Sequence, residues 1–372
     1  MTAPTVGLIA EQLLQSPPGG IGTYVRGLLR ALPGQGIRVR PVVARHRADD
    51  LERAGLDDAD PIMLPLPRQA LYESWSRFGR PRVPAGLDLT HATSLAIPFA
   101  DPRPLVVTVH DLFFRTYADA TTARGTAFHE RGLAHLDRAG IVLCPSEATA
   151  SEVRALDPAP ADVRVTPLAT DLRPPRASDV EAAASALRIE RPYVLCLATR
   201  EPRKNLEGAV RAFARARHRI DPATTLVLAG PPGWGDDRVA STVRDEGVAD
   251  RIREVGFVPE EQKAGLLAGA AVFLFPSLAE GFGFPALEAM AVGTPVVTTD
   301  GSSLPELVGD AAITASPTDF GAVADALAWV LTDETLAADL RERGLARAAT
   351  FTWERTAELT AAAYRDVLQS YS

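Results

Sequence analysis

Two glutamates, Glu280 and Glu288, lie inside SLAEGFGFPALEAMAVGTPVV (277–297), an otherwise apolar stretch suited to a protein interior. A carboxylate accepts hydrogen bonds from both hydroxyls of a vicinal diol, so acids in this setting suit sugars and ribose. Pro285 takes a first helical position and PALEAMA reads as the helix. Glu280 then precedes the helix and Glu288 stands one turn into it, facing one groove at different depths. The amides of Gly281, Phe282, Gly283 and Phe284, with the helix N-terminus they lead into, can bind a diphosphate.

A second cluster lies in LATREPRKNLEGAVRAF (197–213), where a strand ends at Thr199 and a helix starts near Asn205. Arg200, Arg203 and Lys204 gather at this joint. Cations at a helix N-terminus oppose the dipole unless an anion compensates them, so the violation points to a phosphate site. The alternative is a solvated turn paired with Glu201 and Glu207. Lys204 stands out because only two of the 39 basic residues are lysine, the other being Lys263.

Two further segments end strands with useful groups. VVTVHDL (106–112) puts His110 at the carboxyl end of an apolar strand, where ligands of doubly wound sheets bind; a structural histidine is the other reading. His91 has a weaker claim to the same crevice, and His46, His129, His135 and His218 read as surface residues. In PPGGIGTYVRGLL (17–29), Gly19, Gly20 and Gly22 let backbone N–H groups approach an anion where a helix opens, or simply form a flexible turn. Neither the dinucleotide glycine fingerprint nor a GxxxxGK[ST] loop occurs.

The elements that must position these residues alternate short β-branched runs with helical patterns, which indicates parallel sheets with crossover helices. The first half offers strands near 6–10, 39–44, 104–111 and 140–146. The second offers 193–199, 224–230, 251–257, 271–277, 294–299 and 311–314. PLATDLRPPRASD (167–179) reads as a linker. The expected architecture is α/β, with two Rossmann-like doubly wound domains facing a cleft, at 1–172 and 173–352. WERTAELTAAAYRDVLQ (353–369) forms a closing helix, residues 353–372, that returns to the first domain.

Composition narrows the class. Residues beyond 176 hold 19 Lys+Arg against 28 Asp+Glu, which argues against nucleic-acid binding. Cys144 and Cys196 each sit in an apolar run and read as buried thiols, not a disulfide or zinc pair. No apolar run spans a bilayer and the N-terminus reads as a strand, not a signal peptide, so a cytoplasmic enzyme is expected. RQALYESWSRFGRPR (68–82) mixes arginines with Tyr72, Trp75 and Phe78. It suits either peripheral contact with the inner face of a membrane, a lipid-linked or anionic acceptor, or a helix whose aromatics pack on their own domain.

EGFGFPALEAMAVGTPVV resembles the glutamate, seven residues, glutamate motif of the retaining glycosyltransferases of family 4. EPRKNL, VTVHDL, GGIGTYVRGLL, LVLAGPPGW (226–234) and FTWERTAELTAAAY (351–364) match the family's other segments in order. The resemblance implies a GT-B fold and metal-independent, retaining transfer from a nucleotide-diphosphate sugar, with no further cofactor. An N-terminal acceptor domain and a C-terminal donor domain come with it. It assigns Glu280 to donor-sugar hydroxyls, Glu288 to the nucleotide ribose, Lys204 with Arg203 to the diphosphate, and His110 to orienting the transferred sugar. Gly20 and Ile21 match the loop that approaches the phosphates, and Gly256, Phe257 and Val258 the edge that reads the base. A second phosphate-binding arginine of the family is replaced here by Thr199, leaving Arg200 or Arg203 to supply that charge. The EPRKN and VTVHDL forms look most like mannosyl- and rhamnosyltransferases, so GDP-mannose leads as donor, with UDP- and dTDP-sugars open. The expected acceptor is a saccharide or a lipid-linked one. The alternatives are a phosphorylase on the same fold and a non-catalytic sugar-nucleotide binder.

Overall fold

A computed structural model describes residues 3–16, 18–117, 122–233 and 236–371, the side chains of 236 and 237 apart. Pro17 and Trp234, which fall in two of the motifs above, lie outside the described residues. The chain forms two compact units. The first runs to Ala169 and takes in the stretch from Thr352; the second is Thr170–Phe351.

The first unit is built on a seven-stranded sheet of order β3-β2-β1-β4-β5-β6-β7. Its strands are β1 Thr5–Ile9, β2 Arg38–Val43, β3 Ile62–Met63, β4 Leu89–Ala92, β5 Leu105–Thr108, β6 Ile141–Cys144 and β7 Val163–Val165. All pairings are parallel. The strand order reverses between β1 and β4, the place where doubly wound sheets open a crevice beyond their carboxyl ends. Every residue of β4, β5 and β6 is buried, as expected of parallel strands covered on both faces.

The helix Trp353–Ser370 belongs to this unit by contact as well as by clustering. Trp353 lies against Gly27 of the helix Gly19–Ala31, so closely that a Cβ there would sit 2.3 Å from the indole. Thr356 donates a 2.6 Å hydrogen bond to the Pro167 carbonyl. Tyr364 Oη lies 2.6 Å from Nδ1 of His91. His91 is therefore sealed in the core, which removes it from the set of crevice residues. Its Nε2 bonds Thr108, and burial holds its pKa down at about 3, so the ring is neutral.

The second unit carries a six-stranded parallel sheet of order β10-β9-β8-β11-β12-β13. Its strands are β8 Tyr193–Leu197, β9 Thr225–Ala229, β10 Ile252–Gly256, β11 Val272–Phe275, β12 Val296–Thr299 and β13 Ala312–Ala315. Alternation along the strands sends Val194, Cys196, Leu226, Leu228, Val272 and Leu274 into one core with Phe213 and Leu327. Fully burying a side chain such as Phe213 contributes roughly 2–3 kcal/mol. Here the order reverses between β8 and β11. These two strands deliver the cationic turn and the Gly-aromatic loop to neighbouring positions. Both cysteines are buried and free.

Candidate active site

Beyond β8 the chain makes a short 3-10 turn, Pro202–Lys204, and the helix Leu206–Ala216 follows. Asn205 joins them with a left-handed backbone (φ 53°), and its side-chain oxygen caps the helix by accepting from the Gly208 amide. The Asn205 amide nitrogen donates to the carbonyls of Pro276, at 3.0 Å, and Pro317, at 2.9 Å. Leu278 N donates to Arg203 O, and Arg203 Nη1 donates to Ala279 O at 2.8 Å. The exits of β8 and β11 are thus laced together by main-chain and side-chain bonds.

This lacing brings Lys204, Arg203 and Glu280 into one cluster. Lys204 Nζ lies 2.7 Å from Glu280 Oε1, and Arg203 Nη1 lies 2.8 Å from Oε2. Ser277 Oγ donates to Oε1 at 2.7 Å. Burial alone would raise the Glu280 carboxyl, but the Lys204 and Arg203 charges and the Lys204 and Ser277 hydrogen bonds outweigh it and hold it at about 2. Lys204 is shifted down, by burial and by the neighbouring Arg203, against the pull of Glu280. Nζ makes one hydrogen bond among the described residues, so two of its N–H groups remain for a ligand. Its ammonium also lies 5.3 Å from the Phe275 ring centroid.

Of the two arginines that compete to replace the charge missing at Thr199, Arg203 joins the Glu280 cluster. Arg200 pairs with Glu254 of β10 at 2.7 Å. The more exposed Glu201 lies 3.5 Å from Arg203, so part of the local charge is balanced within the turn.

Sequence reasoning missed the residues that fix Glu280 from behind. Ser302 Oγ accepts from Glu280 N at 2.6 Å and donates to Glu280 O, and Ser303 Oγ donates to the same carbonyl at 2.7 Å. Gly283 caps the helix Phe284–Ala291 at φ 105°, where a Cβ would meet Leu304 and Leu307 at 2.9 Å. Glycine alone fits that turn. Phe282 is buried and stands edge-on to Phe284 and Phe351. Pro285 occupies the first turn as the sequence indicates.

Glu288 is also buried, and it pairs with the chain's other lysine. Lys263 Nζ, on the helix Glu260–Gly269, lies 2.7 Å from its Oε1. The spacing between the two glutamates gives no hint of this partner. At the end of β10, Gly256 adopts φ 67° and its carbonyl accepts from Gly230 N at 2.7 Å. Phe257 is exposed and Val258 buried.

In the first unit, His110 follows β5 and is half-buried. Its Nε2 lies 3.0 Å from the Thr93 carbonyl, which can only accept, so Nε2 carries the proton and Nδ1 is left as an acceptor. The Tyr24 ring stands edge-on to it at 5.2 Å. Burial shifts its pKa down. Gly20 and Ile21 lie in the first turn of the helix Gly19–Ala31 and not in a loop, because the helix starts at Gly19. Their amides are therefore helix N-terminal donors.

Four expected surface histidines divide. His218 is exposed. His129 stacks on Phe114 and His135 on Phe99, so both are half-buried. His46, carried to the end of β2, lies 2.8 Å from the buried Glu11, whose other oxygen accepts from Ala44 N. His46 borders a cavity of about 680 Å³ that Gln15, Ser16, Arg68 and Gln69 also line. In the helix Arg68–Phe78, Trp75 is buried and Tyr72 stacks on Phe128, whereas Phe78 is exposed. No helix among the described residues is long and apolar enough to cross a membrane. Nor, among those residues, does any group of three or more His, Cys, Asp or Glu stand ready to hold a metal ion.

Comparison with known proteins decides the family. Residues 18–173 match the family described as Glycosyltransferase Family 4, and residues 178–347 match Glycosyl transferases group 1. The chain is a family 4 glycosyltransferase. This glycosyltransferase is 34% identical over 280 residues to O-antigen chain mannosyltransferase B of Escherichia coli, covering 74% of this chain and 73% of that one. The serotype-specific mannosyltransferase WbdA of Escherichia coli is 28% identical over 253 residues, 65% of this chain but only 31% of WbdA. Sucrose-phosphate synthase from Thermosynechococcus elongatus superposes with a TM-score of 0.77 at 22% identity, over 99% of this chain and 100% of that one. HepE of Anabaena, solved with UDP-glucose, gives 0.74 at 18% identity over 97% and 99%. Both structures share the GT-B fold of the glycosyltransferase, with its two Rossmann-like domains.

Proposed function

We propose that this glycosyltransferase moves a hexose, mannose first among candidates, from a nucleotide-diphosphate sugar to a saccharide or lipid-linked acceptor. Configuration is retained, and no metal or other cofactor takes part. The observation that carries the proposal is Lys204. It is a half-buried ammonium with two N–H groups unused among the described residues, fixed beside Arg203 and a carboxylate at the reversal point of a doubly wound sheet. Mannose comes first because relatives carry the name mannosyltransferase, and GDP-mannose is proposed as its donor ahead of UDP- and dTDP-sugars.

As the bond from the anomeric carbon to the diphosphate breaks, negative charge grows on the leaving oxygen. Lys204, Arg203 and the amides from Gly281 to Phe284 neutralise it. Fixed donors act more strongly there than on the ground state, because the charge they meet has increased. The acceptor hydroxyl attacks from the face the leaving group vacates and passes its proton to a phosphate oxygen, with no protein nucleophile. Glu280, kept ionised by its two cations, steadies positive charge at the anomeric carbon. Glu288 takes the ribose hydroxyls, the edge at Val258 takes the base, and Gly20 and Ile21 offer amides to an anion. His110 Nδ1 offers an acceptor to a sugar hydroxyl. The cavity beside His46 and Arg68 suits the hydroxyl groups of an acceptor, and Phe78 with its neighbouring arginines suits contact with the inner face of a membrane.

The test offers GDP-mannose, UDP-glucose and dTDP-rhamnose with methyl α-mannoside and excess EDTA. It follows nucleoside diphosphate release and the anomeric signal of the product. Release from GDP-mannose with the donor's configuration kept is the expected result. An inverted product, a requirement for added Mg²⁺ or Mn²⁺, or cleavage driven by inorganic phosphate in place of a nucleotide would each overturn the proposal.

A further inference from the structure

Both lysines of this chain pair with a motif glutamate, and the second pair has a feature the first lacks. Glu280 uses both carboxylate oxygens on protein donors, Lys204 and Ser277 on one and Arg203 on the other. Glu288 uses only Oε1, which accepts from Lys263. Its Oε2 accepts no hydrogen bond among the described residues. The lysine is itself held twice, at 2.7 Å from Glu288 and 2.9 Å from the exposed Glu260, one turn earlier on its own helix. Burial pushes the Glu288 carboxyl up, and the Lys263 charge opposes it.

A buried ion pair is a poor way to stabilise a fold, since desolvating two charges costs about as much as their attraction returns and apolar residues of similar volume do as well. The pair is better explained by the oxygen it leaves open. Lys263 stands one turn into a helix that begins directly after the Gly256–Val258 edge, so the lysine and that edge are fixed by the same local backbone. A long side chain such as glutamate has several rotamers, and a diol is received well only when one of them is fixed beforehand.

We propose that Lys263 is a positioning residue that holds the Glu288 carboxylate in one orientation, by Oε1, so that Oε2 and the remaining lone pair of Oε1 receive the ribose hydroxyls of the donor nucleotide. The inference rests on the assignment of Glu288 to ribose made above. Lys263 does not touch the reacting atoms. Its effect is read only on ligands that carry the hydroxyls.

The experiment measures dissociation constants by titration calorimetry. The probes are whichever of GDP, UDP, ADP and CDP the wild-type protein binds most tightly, and the 2′,3′-dideoxy form of that nucleotide. Wild type is expected to prefer the ribonucleotide about tenfold or more, the range for losing hydrogen bonds to a charged acceptor. Lys263→Gln is expected to bring the preference within about threefold, mainly by weakening the ribonucleotide, and Glu288→Gln to do the same. A preference kept in Lys263→Gln but lost in Glu288→Gln makes Lys263 a packing residue and overturns the inference, while the ribose assignment survives. A preference kept in Glu288→Gln, or no binding of any diphosphate by the wild type, overturns the ribose assignment itself. Should Lys263→Gln fail to fold, Lys263→Met, with a similar stem and no charge, is read by the same ratio.

Discussion

Replacing Lys204 by methionine removes one ammonium while keeping a side chain long enough to pack near Phe275, 5.3 Å from the present Nζ. The folded state loses little by this change. Glu280 retains Arg203 at 2.8 Å and Ser277 at 2.7 Å, so it is not left as a lone buried charge. A buried ion stripped of every partner costs about 3–5 kcal/mol, and losing one of several bonds to a charged group costs about 1.5–3 kcal/mol. The lower figure applies here. On the role proposed for Lys204 the transition state suffers more, because two of its N–H groups have no partner among the described residues and would meet a leaving oxygen whose charge is growing. Removal of one such preorganised donor costs about 3–4 kcal/mol, or about 10²–10³ in kcat. Nucleoside diphosphate release at saturating donor gives kcat, and thermal unfolding in the same buffer shows whether the variant is folded. A kcat and a KM both within about threefold of wild type in a folded Lys204→Met protein would refute the phosphate role. A rise confined to KM would mean that Lys204 binds the ground state and the transition state alike.

Three further outcomes are expected. Glu280→Gln should lower kcat about tenfold or more yet bind the free nucleoside diphosphate more tightly, since Lys204 and Arg203 lose their internal anion; calorimetry showing weaker binding would contradict the charge argument. The Glu280 carboxyl lies at about 2 against an ordinary 4.5, so its stabilising contribution is full above pH 4.5 and is lost as pH falls towards 2. It amounts to about 3 kcal/mol at most. The stability gap between wild type and Glu280→Gln should therefore close over that window in acid-unfolding curves, and a gap independent of pH would exclude this linkage. Tyr364→Phe leaves Nδ1 of the buried His91 without its 2.6 Å partner and should cost about 1–3 kcal/mol, seen as a lower unfolding temperature; an unchanged transition would show that the bond contributes nothing net.

The sequence was most readable where burial is continuous. In the second unit β8, β9, β11 and β12 lie within the expected runs and are buried almost throughout, because both their faces are covered, while the edge strands β10 and β13 are partly exposed and β13 overruns its run by one residue. In the first unit β3, β4 and β7 escape the same reading. β3 is two residues long with Met63 exposed, and β7 is an edge strand, half-buried throughout. β4 carries Thr90 and His91, polar residues that look like a loop until a tyrosine 273 positions away supplies the partner. Site residues follow the same logic. Lys204 and Arg203 are visible because they break a local electrostatic rule, and Gly283 because only glycine fits its turn. Lys263, Ser302 and Ser303 are not visible, since each acts on its glutamate across more than twenty residues with no periodicity to mark it.

The first unit is discontinuous in sequence, its last helix arriving after the whole of the second. During synthesis the second unit can close on itself while the first still lacks the indole that packs on Gly27 and the phenol that satisfies His91. The amino-terminal core therefore waits, part-built, until the Trp353–Ser370 helix has been made. A ribosome that stops between the second unit and that helix releases an unfinished first half rather than a finished one.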